Sequence, residues 1–197
     1  MPSQTGIINN ALRAISGTRI TSISDGTANG NIATDLWDDA VDALLRAHTW
    51  NFATRRIQLA RSATLPVFEY DYAYVLPADW IRTISVHDND DGFGTITWRE
   101  EINAGQRALL ANEENVYLRY VARVTDTNVW AVDFVSAFTA QLASLMAVPV
   151  AKSVSLAEKW EKEAGKRLRR ARSTDALGAS PESRPLGSWV TSREGWR

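Results

Sequence analysis

The sequence predicts an α+β protein, mainly α, in which a four-helix bundle carries a small inserted antiparallel β region and ends in an extended C-terminal tail. Three observations predict it. Apolar residues recur at helical spacing in two blocks, one ending near His48 and one beginning near Asp133. Between the blocks the period drops to two, as in Phe68, Tyr70, Tyr72, Tyr74 and Leu76. After about Ser173 neither period survives, and isolated Leu and Trp residues stand among serines, glycines and prolines. The units so read are residues 1–54 and 129–172 for the two halves of the helical body, 55–128 for the β insertion, and 173–197 for a docking tail.

Residues 3–16 predict a short first helix with Ile7, Ile8, Leu12 and Ile15 on one face and Gly17 as its stop. Asp25-Gly26 marks a turn, and Asn31 or Thr34 offers an N-cap for a second helix. Trp37, Val41, Leu44 and His48 give that helix an apolar line, with Asp38, Asp39, Asp42 and Arg46 on its wet side. A bulky pivot, Trp50-Asn51-Phe52, precedes the β region, and Pro77-Ala78-Asp79 stops the aromatic strand because proline cannot donate to a ladder. Alternation returns at 80–87, at Thr95–Arg99 and at 116–124, giving four or five strands; Ile102–Asn112 reads equally as a short helix or a loop.

Asp133 can cap a third helix that runs to Val148 and stops at Pro149. It is apolar around most of its circumference and is therefore expected at the centre of the body. Ser155 and Glu158 form a capping box for a fourth helix, with Ala157, Trp160, Ala164, Leu168 and Ala171 facing inward.

At 197 residues, 45% hydrophobic and 23% charged, the chain can bury a substantial core. It has no cysteine, hence no disulfide framework and no thiolate metal site. No apolar run is expected to reach the roughly 20 residues of a membrane span, so no membrane association is expected. The net charge of −1 conceals a division. Residues 1–151 hold 11 Lys and Arg against 17 Asp and Glu, whereas 152–197 hold 11 against 6. An acidic body with a basic end suits head-to-tail contact between copies, or a basic end aimed at an acidic partner.

Two segments carry a family resemblance. DALLRAHTWNFATRRIQLA (42–60) and YAYVLPADWIRT (72–83) resemble the head-to-tail adaptor proteins of tailed bacteriophages, a family that includes tail tubular protein A. The resemblance rests on Trp50, Asn51 and Phe52 at the corner and on Leu76, Pro77 and Asp79 at the turn. It implies a structural virion protein of the neck, made in the host bacterial cytoplasm. Copies would form a ring, twelvefold by the family's example, between the portal protein and the tail nozzle or tail tube protein, with DNA passing through without sequence reading. It also implies that the C-terminal segment looks toward the portal. Leu186, Trp189, Val190 and Trp196 are the expected anchors there, since spaced aromatics hold segments that order on binding.

The chemistry-bearing residues favour plainer roles. Asp35, Asp38, Asp39 and Asp42 lie in the first turns of a helix, where acids stabilise the dipole, and His48 sits at its end. Asp88-Asn89-Asp90-Asp91-Gly92 misses the calcium-loop pattern, with Phe93 at position 6 and Arg99 at position 12. The aromatic stripe 68–74 suits a half-buried strand better than a stacking platform. No nucleophile elbow, P-loop or dinucleotide fingerprint is present, so neither enzyme nor cofactor is expected. Lys166, Arg167, Arg169, Arg170 and Arg172 form one dense basic cluster, for contact with a neighbouring subunit or the DNA channel. It also sustains the alternative of a nucleic-acid-binding helical module; a hydrolase built on the acidic second helix ranks last.

Overall fold

In a computed structural model of the protein, residues 2–92 and 95–178 are described. The anchors expected at Leu186, Trp189, Val190 and Trp196 therefore lie outside the described residues. The order is α1 (Gln4–Ala14), α2 (Ala28–Arg46), β1 (Thr54–Gln58), β2 (Tyr72–Val75), β3 (Trp80–His87), β4 (Trp98–Asn103), β5 (Gln106–Ala111), β6 (Tyr117–Ala122), α3 (Val132–Ala151) and α4 (Val154–Leu177). Four helices and two small antiparallel sheets make an α+β fold, with the β region inserted between the second and third helices.

The helix ends follow backbone demands that the periodicity did not reveal. Ser16, not Gly17, takes the left-handed conformation after α1 (φ 59°), and the Gly17 amide then donates to the Leu12 carbonyl at 2.8 Å. Thr27 caps α2, its hydroxyl accepting from the Gly30 amide at 3.1 Å, so the helix starts before Asn31 and Thr34. No side chain caps α3, which begins before Asp133. Pro149 lies inside its last turn, and the helix ends at left-handed Lys152 (φ 53°). Ser153 rather than Ser155 caps α4, its hydroxyl accepting from the Leu156 amide. That helix continues to Leu177, so residues 173–178 belong to the body and not to a tail.

α3 is the central helix and packs against α1, α2 and α4. It reaches the length and apolarity of a membrane span, which the sequence was not expected to do. Its apolar residues are instead core-forming: Phe134, Phe138, Leu142 and Met146 are fully buried. Phe138 meets Trp37 edge-on at 4.9 Å and Trp130 at 5.3 Å, so one aromatic knot joins α2, α3 and the segment entering α3.

The sheets have orders β1-β6-β3 and β2-β5-β4. Alternation along β6 separates two cores. Leu118, Tyr120 and Ala122 face Tyr74, Leu109 and Ala111 of the other sheet, whereas Val121 faces the helices. Sheet β1-β6-β3 is thus the middle layer. Arg123 ties its end to α2, with Nε 2.6 Å from Asp42 and Nη2 2.9 Å from Asp38.

Two β expectations are corrected. The aromatic strand is only Tyr72–Val75, since Glu69 adopts a left-handed φ of 74° and Phe68 is exposed. The segment Ile102–Asn112 is neither a helix nor a loop but holds the turn and second strand of a hairpin. β4 and β5 are joined by Ala104-Gly105, both left-handed (φ 49° and 79°), as a two-residue hairpin turn requires. Ala108–Ala111 are buried on both faces, which erased the alternation that would have marked a strand.

Candidate functional site

The two resemblance-bearing segments are joints. Trp50 follows α2 and is fully buried; its indole N–H donates to the Leu44 carbonyl at 2.9 Å, closing the end of the helix. Its ring meets Phe134 edge-on at 4.9 Å, and Phe52 meets Phe134 at 5.0 Å. Asn51 points the other way, to the end of α4. Its backbone N–H lies 3.2 Å from both carboxylate oxygens of Asp175, and its side-chain amide donates to the Asp175 carbonyl at 2.6 Å. The Asp175 carbonyl, in the last α4 turn, thus accepts from the Asn51 side chain as well as from the Gly178 amide. Gly178 follows immediately, where an added Cβ would stand 3.2 Å from the Asn51 amide. The corner therefore fixes the end of α4 against the end of α2.

His48 completes this pin. Its Nε2 is 3.3 Å from Asp175, and its ring lies edge-on to Trp50 at 4.9 Å. Burial holds the imidazole below the ordinary histidine range, opposed by the Asp175 charge and assisted by Arg172.

The second joint is the Leu76-Pro77-Ala78-Asp79 turn. Leu76 is buried between the sheets. The Asp79 carboxylate meets Arg55 of β1 at 2.5 Å and accepts from the Tyr120 hydroxyl at 3.1 Å. Its carbonyl accepts from the Arg123 amide at 2.6 Å. Burial and then the Asp79 charge raise the Tyr120 phenol above its ordinary range. Asp79 thus connects both sides of β6 to the turn that leads into β3.

The basic cluster divides. Lys166, Arg169 and Arg170 are exposed and continue a stripe begun by Lys159 and Lys162, all at spacings of three and four. Arg167 is committed to the body: Nε is 2.9 Å from Glu163, Nη1 is 3.4 Å from Ser136, and the guanidinium lies over Trp160 at 5.6 Å. Arg172 is half-buried beside His48, and its Nε has no hydrogen-bond partner among the described residues. Glu163, held below the usual carboxylate range by Arg167, belongs to the same packing.

The acidic helix face is also divided. Asp38 and Asp42 hold Arg123, while Asp35 and Asp39 are exposed. Among the described residues, no three of His, Asp and Glu converge as a metal site would require. A groove along α4 is lined by Trp160, Lys162 and Lys166 among others.

Sequence reasoning missed Asp175, placed in the tail, and Arg123, which carried no local signal. It also missed the exposed apolar loop Leu65, Val67 and Phe68, tied across β4 by Asn103 donating to the Thr64 carbonyl at 2.7 Å. No protein-family model matches the chain, and no curated protein matches it.

Proposed function

We propose that the protein is a structural head-to-tail adaptor of a tailed bacteriophage, acting without catalysis. Copies form a ring, twelvefold by the resemblance, between the portal protein and the tail nozzle or tube in the virion neck. DNA passes through the ring with weak, sequence-independent wall contacts. The observation that carries this reading is the role of the two resemblance-bearing segments. Both act as joints: one pins the end of α4 to the end of α2, and the other locks the turn between β2 and β3 to β1 and β6. A protein whose distinctive residues hold its parts at fixed angles suits a load-transmitting assembly component. The separation of an exposed basic stripe on α4 from exposed Asp35 and Asp39 on α2 supports contact between unlike faces of neighbouring copies.

Negative-stain microscopy of the protein mixed with portal rings tests the reading. Rings seated on the portal are expected; free monomers beside bare portals overturn it. Residues 179–197 supply the portal anchor in this proposal, so their deletion abolishes seating while leaving the melting temperature unchanged.

A second reading has its own observation. The stripe of Lys159, Lys162, Lys166, Arg169 and Arg170 can track a phosphate backbone. Sub-micromolar binding to duplex DNA, falling steeply with salt, would favour it over the adaptor.

A further inference from the structure

Of the four outer strands, β2 is bridged on its free side by residues 60–62, and β3 is half-buried, with Arg46 of α2 donating to its Ile81 carbonyl. By contrast, β1 and β4 are unlike edges that are both unpaired and exposed. β1 pairs only with β6, and β4 only with β5. Among the described residues, no backbone bond outside those ladders engages 55–58 or 98–103. Both edges are exposed, including an isoleucine on each: Ile57 is 44% and Ile102 76% accessible. An unpaired edge of this kind is a template for another strand.

We propose that β1 of one copy pairs in parallel with β4 of the next, forming a sheet that continues between neighbours. The residues match position by position. Arg55 meets Glu100, Arg56 meets Glu101, Ile57 meets Ile102 and Gln58 meets Asn103. Opposite charges and like apolar groups at directly adjacent positions are contacts that stabilise neighbouring strands, while the Gln58 and Asn103 amides already donate to Asn115 and Thr64 within their own copy.

The faces agree as well. Arg55 and Ile57 stand opposite Tyr120 and Leu118 on β6, on the side facing the core between the sheets. Glu100 stands opposite Leu109, which belongs to that same core, and Ile102 lies two residues further along the same face. Parallel pairing therefore joins core side to core side. The antiparallel register that keeps both Arg–Glu contacts sets Arg55 on Glu101 and Ile57 on Arg99. It joins a core side to an outer side and strands each isoleucine against a polar residue. Arg55 meets Asp79 through Nη1 and its side chain remains 55% exposed, so it can also reach Glu100 of a neighbour.

Because the two edges differ, the contact is heterologous and propagates from copy to copy, closing when the rotation per step completes a turn. The proposal rests on the head-to-tail reading and names the surface that makes it.

The chain has no cysteine, so introduced pairs report on register alone. Neighbouring strands lie about 4.8 Å apart, within the Cα range that a disulfide spans. Full-length Ile57→Cys and Ile102→Cys proteins are mixed under mild oxidation, with and without portal rings. Crosslinked heterodimers are expected, and the double variant should give a ladder of linked copies. Thr54→Cys with Ile102→Cys, the antiparallel pairing, should crosslink at least about tenfold less. A second pair of variants is independent of thiols. Arg56→Glu or Glu101→Arg alone should abolish assembly, and the two in one chain should restore it. Rings that form without 57–102 crosslinks, or a stronger 54–102 product, overturn this interface and leave the adaptor reading standing. Absence of any oligomer, even beside portals, overturns both.

Discussion

Replacing Phe138 by alanine should cost the helical body about 3–5 kcal/mol, the sum of lost transfer energy and the cavity left behind. The upper half of that range applies here. Phe138 is fully buried on the central helix, and its ring touches three others: Trp37 at 4.9 Å, Trp130 at 5.3 Å and Phe134 at 6.3 Å. Such ring pairs contribute about 0.5–1.5 kcal/mol beyond area burial. The surrounding groups are large, rigid and held from several elements, so the site cannot collapse around the gap. Phe138→Leu retains most of the volume and should cost less than about 1.5 kcal/mol. Urea unfolding followed by far-ultraviolet circular dichroism reports the helical transition, provided the slope against denaturant is the same in all three proteins. An alanine loss below about 1 kcal/mol, or equal losses for alanine and leucine, would refute the packing argument.

Gly30→Ala ordinarily stabilises a helix by about 1 kcal/mol. Here the new Cβ would stand 2.7 Å from the Asp25 carboxylate that holds Thr27, so thermal melting should fall. For His48, burial depresses the folded-state pKa below its ordinary value of 6.5. The unfolded chain then binds more protons in acid, so the stability this group contributes is present above about pH 6.5 and is lost as pH falls. His48→Gln should flatten the decline in melting temperature between about pH 7 and about pH 5; an unchanged slope would remove His48 as its source. Arg169→Glu with Arg170→Glu should impair ring assembly more at low salt than at high salt, with melting unchanged, because both side chains are exposed. Arg167 is excluded from that variant because it packs on Trp160 and Glu163, and its loss would confound assembly with folding.

The sequence disclosed what repeats and concealed what happens once. Trp37, Val41 and Leu44 recur at helical spacing and are buried together; Leu118, Tyr120 and Ala122 alternate and face one core. Those regularities are long enough to outweigh local accidents. The ends of elements depend instead on single hydrogen bonds. Thr27 outcompetes Asn31 as the α2 cap because the Asp25 carboxylate accepts from its amide and hydroxyl and fixes its side chain. β5 escaped notice because Ala108 and Leu110 are buried on the face opposite Leu109 and Ala111, so the strand never alternates. The candidate interface had the same weakness. Arg55-Arg56-Ile57 and Glu100-Glu101-Ile102 are readable as text, but only the topology shows that both segments are edges.

The division of the basic cluster bears directly on how such a chain can serve an assembly. Five cations within seven residues invite a single electrostatic role, yet Arg167 and Arg172 are drawn into the body by Trp160, Glu163 and the His48 environment. Partial burial makes those two poor responders to a distant partner, since their geometry is already fixed by packing. The remaining charges lie on a helix whose far end is bonded to the Trp50-Asn51-Phe52 corner through Asp175. The stripe therefore moves with the helical body as a unit. The bare edges of β1 and β4 belong to the inserted layers; Arg123 ties the β1-β6-β3 layer to α2, and Asp79 ties β1 and β6 of that layer together. Long-range attraction through α4 can bring unlike faces together, but it is screened beyond about 10 Å and does not set register. Strand pairing at the sheet edges sets register and acts only at contact. A ring built from both would assemble at a rate that depends on salt, so charge reversal on α4 should slow assembly, while a charged residue at the strand contact, as in Ile57→Asp or Ile102→Asp, should prevent closure.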